Sequence, residues 1–366
     1  MTKDDVDLLK HCLSYGRYFK CIPVDWDYKS GRVIVKSRRQ QIFVYFSILL
    51  NFLAMLCRIY SVSLHPSSIV ACVEAATGAV LYTVNFLIRL DVPVDVKVVQ
   101  MVNLIICETS IVDPQFSRMR LIIRLCLYTI GITGSLISAL LGILTIAAPC
   151  QPLLLSSLRC HDSIFLIKNC AWLIKLIFGI VEFILFMGIT IASFYYICEV
   201  LMQGIAFLWM DCLSFVKRYD QGTQNIVGYR KLQIFEKCLN SCIRPRIFVA
   251  AALAIPGIQI MMCTIGVVLF RSGEVDTVKA SIFLWSCFVL SIFTMIMFSA
   301  AAQISNLSIK WLMRCRWNLK KKSERKLYKS MAPLRLEFGN NFVERLTPLV
   351  QEFCVRQTVS FLLVMG

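Results

Sequence analysis

Charge is scarce in this chain of 366 residues: 17% are Asp, Glu, Lys or Arg, against about a quarter in an ordinary soluble domain. With 58% hydrophobic residues and a mean hydropathy of +0.69, the composition argues against a water-soluble fold. Acidic residues are scarcer still, 22 against 39 Lys+Arg, a formal charge of +17. A nucleic-acid partner would require those basic residues to be interleaved with a soluble core; here they lie between apolar blocks, so no nucleic acid is expected. Histidine is nearly absent. His11, His65 and His161 each fall in a terminus or loop, and none has a paired acid or a serine nucleophile motif beside it. GxSxG, HExxH, P-loop and GxGxxG motifs are all missing, so neither an enzyme nor a cofactor is expected. The 17 cysteines show no metal-ligand spacing, and the four-apart pair Cys238 and Cys242 has no accompanying His pair. Disorder, a collagen-like chain and a disulfide-stapled miniprotein are excluded by the same composition. No cleavable signal peptide is visible, since some forty polar residues precede the first apolar run, which is then a permanent anchor.

What the chain does contain is seven long apolar runs. They are Ile42 to Ile59, Ile69 to Ile88, Leu125 to Ala148, Ala171 to Ile197, Phe248 to Phe270, Ala280 to Ala302 and Leu349 to Gly366. Each approaches the roughly 20 residues a helix needs to cross a hydrocarbon layer of about 30 Å. The runs do not alternate as barrel strands do, so the expectation is an all-α membrane protein with seven transmembrane helices.

Orientation follows from the connections that carry Lys and Arg. Residues 1–41 hold nine, 89–124 five, 198–247 seven and 303–348 eleven, whereas 60–68, 149–170 and 271–279 hold none, two and two. That split predicts a cytoplasmic N terminus and an extracellular C terminus. The same cytoplasmic segments carry 16 acidic residues, so nearly all of the +17 is a topology signal at a face beside anionic lipid. The layout is then a cytoplasmic segment 1–41, helices one to six over 42–302 with cytoplasmic helical extensions at 89–124 and 198–247, a basic segment 303–348 and helix seven at 349–366. An eighth crossing at 198–217 would put the following basic residues on the wrong side, so that stretch reads as an extension of the fourth helix. No internal repeat relates the two halves. Cys150 and Cys160 fall in an extracellular connection where oxidation is allowed, and either bridge or stay as free thiols.

Few ionisable residues lie inside the runs, and each is a functional candidate by its cost there. Arg58, Glu74, Lys175 and Glu182 share the outer half of the bundle with Trp172, Phe178 and Trp285. Glu74, Trp172, Lys175, Phe178, Glu182 and Trp285 are therefore candidates for a polar-aromatic ligand pocket open to the outside. The alternative is that Arg58 and Lys175 snorkel to the interface while the two glutamates pair with them structurally. In helix seven, Glu352 and Arg356 stand at i and i+4. Thr358, Phe361, Leu362 and Met365 form a stripe that is polar at the inner end and bulky at the outer. Copies meeting around an axis would place Glu352 and Thr358 at a wet inner mouth and the other three at a hydrophobic gate; alone, the stripe is a packing face with a buried ion pair.

The ending FGNNFVERLTPLVQEFCVRQTVSFLLVMG, with the seven spans and the basic segment before the last, resembles the insect gustatory receptors. That family ends in Thr-Tyr, five apolar residues and Gln-Phe. Thr358 matches its Thr and Ser360 to Val364 its apolar stretch, while Val359, Met365 and Gly366 depart from its Tyr, Gln and Phe. The resemblance implies a tastant-gated non-selective cation channel in the plasma membrane of a gustatory neuron dendrite. Its subunits would form a homo- or heterotetramer with other gustatory receptors around a pore lined by the seventh helices, their cytoplasmic helices packed into an anchoring core. Tastants would bind an outward-facing pocket in each subunit, and the degenerate motif points to a bitter-type branch. The rival readings are a rhodopsin-like G-protein-coupled receptor and a transporter. The first needs the opposite orientation and an Asn-Pro-x-x-Tyr in helix seven; the second predicts paired broken helices, whereas Pro256-Gly257 has no counterpart.

Overall fold

The computed structural model describes the chain apart from residues 1–2, 64–68, 108–116, 152, 158–171, 223–225, 245–246, 273–276, 319–325, 327, 339–340, 345 and 366. Eleven α-helices and two small hairpins are found among the described residues. The helices are α1 (Lys3–Tyr18), α2 (Arg38–Ser63), α3 (Ile69–Arg89), α4 (Val96–Cys107), α5 (Ser117–Ala147), α6 (Trp172–Phe194), α7 (Gln203–Asp220), α8 (Ile226–Ile243), α9 (Ile247–Ser272), α10 (Thr277–Asn318) and α11 (Thr347–Met365). Strands β1 (Val24–Asp27) and β2 (Arg32–Val35) pair antiparallel, as do β3 (Glu337–Phe338) and β4 (Asn341–Phe342).

Six stretches are long and apolar enough to cross a membrane: Arg38–Ser63, Ala71–Arg89, Arg120–Ala147, Trp172–Asp220, Ala254–Arg271 and Thr277–Arg316. Helix α11, the last of the seven expected spans, is 19 residues long and stands outside this set. The apolar runs set the helices and proline sets two of their ends: α3 stops short of Pro93 and α5 short of Pro149, since proline removes a backbone donor and its predecessor avoids helical torsions.

The fourth span does not end where its apolarity does. It continues through a π-helical stretch, Tyr195–Met202, into α7. Such stretches occur mostly as local bulges within α-helices; here it presents the Tyr196 hydroxyl to Asp91 at 2.8 Å and buries Glu199. Helix α10 likewise runs past Ala302, because Ile304, Ser308, Trp311, Leu312 and Cys315 recur at helical spacing on a buried face.

The largest core lies at the end of the bundle that carries α1, the β1–β2 hairpin, α4, α7, α8 and the far half of α10. Trp311 is its centre, with ring centroids of Phe215, Tyr219, Tyr229 and Tyr328 at 4.5–5.8 Å. The β1–β2 hairpin turns at Gly31, whose φ of +65° favours glycine, and docks on α4 through two reciprocal 2.8 Å bonds between Asn103 and the Val33 backbone. Buried Arg89 donates to the Cys21 carbonyl and the Ser47 hydroxyl, and Lys36 to the Ile22 carbonyl, tying the N-terminal segment to the spans. Residues 328–338 strap this core. Arg316 donates to the carbonyls of Tyr328 and Met331, Gln233 and Tyr229 to that of Ala332, and Asn240 to that of Arg335.

Candidate functional site

At the opposite end of the bundle the helices part around a cavity of about 260 Å³. Its walls come from α3, α5, α6, α9 and α10, with Gln151 and Leu153 from the connection after α5. Leu81, Ile137, Leu140, Leu141, Leu144 and Phe186 give it an apolar body. Thr77 and Ser286 also reach it, but each hydroxyl donates to its own helix, to the Val73 and Ile282 carbonyls. The remaining polar groups gather at one end. Lys279 donates to the Gln151 side-chain oxygen at 2.8 Å and faces Glu74 at 3.9 Å.

A buried brace stands behind this wall. Arg58 at the end of α2 pairs with Glu182 of α6 and donates to the Leu153 carbonyl at 2.6 Å. Its guanidinium stacks 4.8 Å from the Tyr82 ring and 5.8 Å from that of Phe186, and Tyr82 donates to Asn51. A Ser61–Ser157 bond of 3.0 Å closes the same corner. Two lining residues, Leu153 and Phe186, are thus held by one buried cation. Beside them Gly78 faces Leu153 so closely that a Cβ would lie 2.4 Å from its side chain.

Of the six residues expected to form the pocket, the structure brings only Glu74 to this cavity. Glu182 is spent on Arg58 rather than on Lys175. Lys175 and Phe178 are half-buried on α6 away from the lining; Trp172 and Trp285 are 68% and 51% exposed, Trp285 donating to Thr133 at 3.3 Å. Outward-facing Trp near a span end suits the lipid interface, where its amphipathic ring is stable. Lys279 and Gln151 were missed because both stand in short polar stretches outside the apolar runs. Cys150 is disulfide-bonded, while Cys160 lies outside the described residues.

On α11 the Glu352–Arg356 pair is formed at 2.6 Å, but it is not buried: Arg356, Gln357, Thr358 and Ser360 are all exposed, and Val359 turns inward. Thr358 donates back to the Cys354 carbonyl. The side chains of Phe361, Leu362 and Met365 lie outside the described residues.

No family model matches the sequence, and no curated protein matches it significantly. Among solved structures, the chain is similar to the insect olfactory receptor OR5 from Machilis hrabei, with a TM-score of 0.66 and 13% identity over 98% of both chains. The structure of the same receptor in complex with eugenol matches equally, again with a TM-score of 0.66, 13% identity and 98% of each chain covered. At that identity the likeness is one of architecture. The chain has the seven-helix membrane fold of an insect olfactory receptor.

Proposed function

We propose that the protein is a chemoreceptor subunit of a ligand-gated cation channel, of the gustatory type that its C-terminal sequence resembles. The observation that carries this reading is the exposed polar face of α11. Arg356, Gln357, Thr358 and Ser360 point out of the chain from a helix of the membrane bundle. Thr358 is satisfied by its own helix and Arg356 by Glu352, but an exposed ion pair and the Gln357 amide are costly against lipid, so the face belongs against water or further copies of the same helix. A tetramer with α11 around its axis meets that requirement, with Glu352 and Thr358 at the inner mouth and Phe361, Leu362 and Met365 as the gate. The wall of the described cavity supports a small-molecule site in each subunit, and the fold match to a receptor solved with eugenol agrees with it. The basic connections support a cytoplasmic α1 and N terminus, with the cavity toward the outer side of the plasma membrane. The bonded Cys150, at the end opposite those connections, suits an oxidising exterior. A bitter-type tastant and heteromeric partners from the same family complete the reading.

Tag accessibility on intact cells tests the orientation that the channel requires. An N-terminal tag should be labelled only after permeabilisation; labelling without it would favour the G-protein-coupled alternative and sink the proposal.

A further inference from the structure

We infer that the Arg38 end of α2, with Lys20 beside it, is a binding site for an anionic phospholipid: Lys20, Arg38 and Arg39 hold its headgroup phosphate, and the exposed apolar face of α2 carries its acyl chains. The site needs only the membrane fold and stands whichever activity the protein has.

Helix α1 closes in a Schellman arrangement. The Cys21 amide donates to the Gly16 carbonyl at 3.1 Å and the Lys20 amide to that of Arg17 at 3.3 Å. The residue at this position turns left-handed, and glycine is its usual occupant because it has no Cβ to clash. Here it is Lys20, at φ +51°, the one non-glycine residue with positive φ among the described residues. A side chain kept where glycine would be easier points to a use for that side chain. Its ammonium lies 4.2 Å from the centre of the Phe43 ring, a contact that occupies one side of the charge and leaves N–H donors for a ligand.

Phe43 marks the membrane boundary. Helix α2 has 26 residues, about 39 Å of helix, so a hydrocarbon layer of about 30 Å leaves its first turn among the headgroups. Arg39 and Phe43 are at i and i+4 and share a face, and Ile42, Phe46 and Leu49 continue the exposed surface into the apolar layer. Lys20, Arg38 and Arg39 are exposed, and among the described residues none of them is paired with a carboxylate. Their sequence neighbours are spent: Arg17 on Asp25 at 2.7 Å, and buried Lys36 on the Ile22 carbonyl at 2.8 Å. Three uncompensated cations therefore stand where hydrocarbon gives way to headgroups. A soluble anion would meet the charges and leave the apolar face unused. A zwitterionic lipid would cover the face but bring a further cation to the three. An anionic phospholipid satisfies both.

The test uses the purified full-length protein, delipidated in neutral detergent, with phosphatidylserine and phosphatidylcholine of matched acyl chains and with the soluble headgroup glycerophosphoserine. Native mass spectrometry counts the bound lipid, and thermal unfolding follows its effect. Phosphatidylserine should bind more tightly than phosphatidylcholine, with a preference that shrinks as salt rises. Each cation removed should weaken it about fivefold, through Lys20→Gly, Arg38→Gln and Arg39→Gln singly and together, while Lys20→Arg should keep it. Glycine relieves the left-handed backbone, so Lys20→Gly should unfold no lower than the wild type in the absence of lipid; its loss of lipid is then not a loss of fold. Equal retention of the two lipids by the wild type, or a phosphatidylserine preference that survives the triple variant, overturns the inference. Glycerophosphoserine that binds as tightly as the lipid overturns the part given to the apolar face.

Discussion

Arg58 and Glu182, 124 residues apart in sequence, meet as a buried ion pair that also fixes the Leu153 carbonyl at the rim of the cavity. Breaking a buried pair from one side costs about 3–5 kcal/mol, because the surviving charge is left uncompensated, whereas replacing both partners by apolar residues is far milder. Arg58→Met and Glu182→Met should each lower the unfolding temperature of the nanodisc-embedded protein by many degrees. The double variant should recover most of the loss. Additive losses would show that the two residues act separately.

Helices α5 and α6 touch backbone to backbone at Gly142 and Gly179, where a Cβ on Gly179 would stand 2.9 Å from the Gly142 carbonyl oxygen. The Ile146 side chain, nearer still at 2.7 Å, can turn aside, but the carbonyl oxygen is backbone and moves only if the helices part. Gly179→Ala should destabilise the protein by about 1–3 kcal/mol, as overpacking does. Thermal unfolding measures this, and an unchanged midpoint would mean the helices can part freely.

Glu236 on α8, outside the membrane-spanning stretches, accepts from Asn240 at 2.7 Å. Asn240 in turn holds the Arg335 carbonyl and the Glu337 amide of the strap. Burial, with neighbouring Glu337 adding to it, pushes the Glu236 carboxyl up to about 7, against the opposing pull of its hydrogen bonds and of Lys237. A carboxyl raised in the folded state binds its proton more tightly there than in the unfolded chain. Its contribution is therefore fully present below the ordinary glutamate range and is lost as pH rises through about 7. Arg244 pairs with the neighbouring Glu337. Between roughly pH 5 and pH 8 the wild type should lose stability that Glu236→Gln retains. Parallel pH profiles of the two proteins would contradict this.

Glu352 is half-buried beside Arg356 on the exposed side of α11. If four copies ring an inner mouth, Glu352→Lys should lower cation conductance or shift reversal potential toward anions, as charged rings do in other pores. Normal permeation through a functioning channel would leave the pair a structural role only.

The spans were readable in the sequence because apolarity over some twenty residues has one structural outcome in a bilayer. The continuity of the fourth span into α7 followed from the side on which the next basic residues must fall. What stayed hidden depends on contacts between distant segments. Glu182 was visible as costly, but nothing local distinguishes Arg58 from Lys175 as its partner. Lys279 sits just past the largely polar residues 271–276 and Gln151 between Cys150 and Pro152, so neither stands out against its neighbours, and only folding sets both against Glu74. The β1–β2 hairpin escaped notice for a similar reason: four-residue strands carry little pattern of their own, and this pair is anchored by Asn103 from a helix some 70 residues on.

The central claim is that occupancy of the outer cavity opens a cation pathway along α11. The most direct measurement is whole-cell cation current in a cell with no chemoreceptors, expressing the protein alone and with candidate partner receptors, over a panel that includes sugars and bitter compounds. The wild type should give a ligand-evoked inward current that Ile137→Trp, which fills the apolar body of the cavity, abolishes at equal surface expression. A ligand-evoked current that Ile137→Trp leaves intact, or surface-expressed protein that passes no current with any ligand or partner, would contradict it.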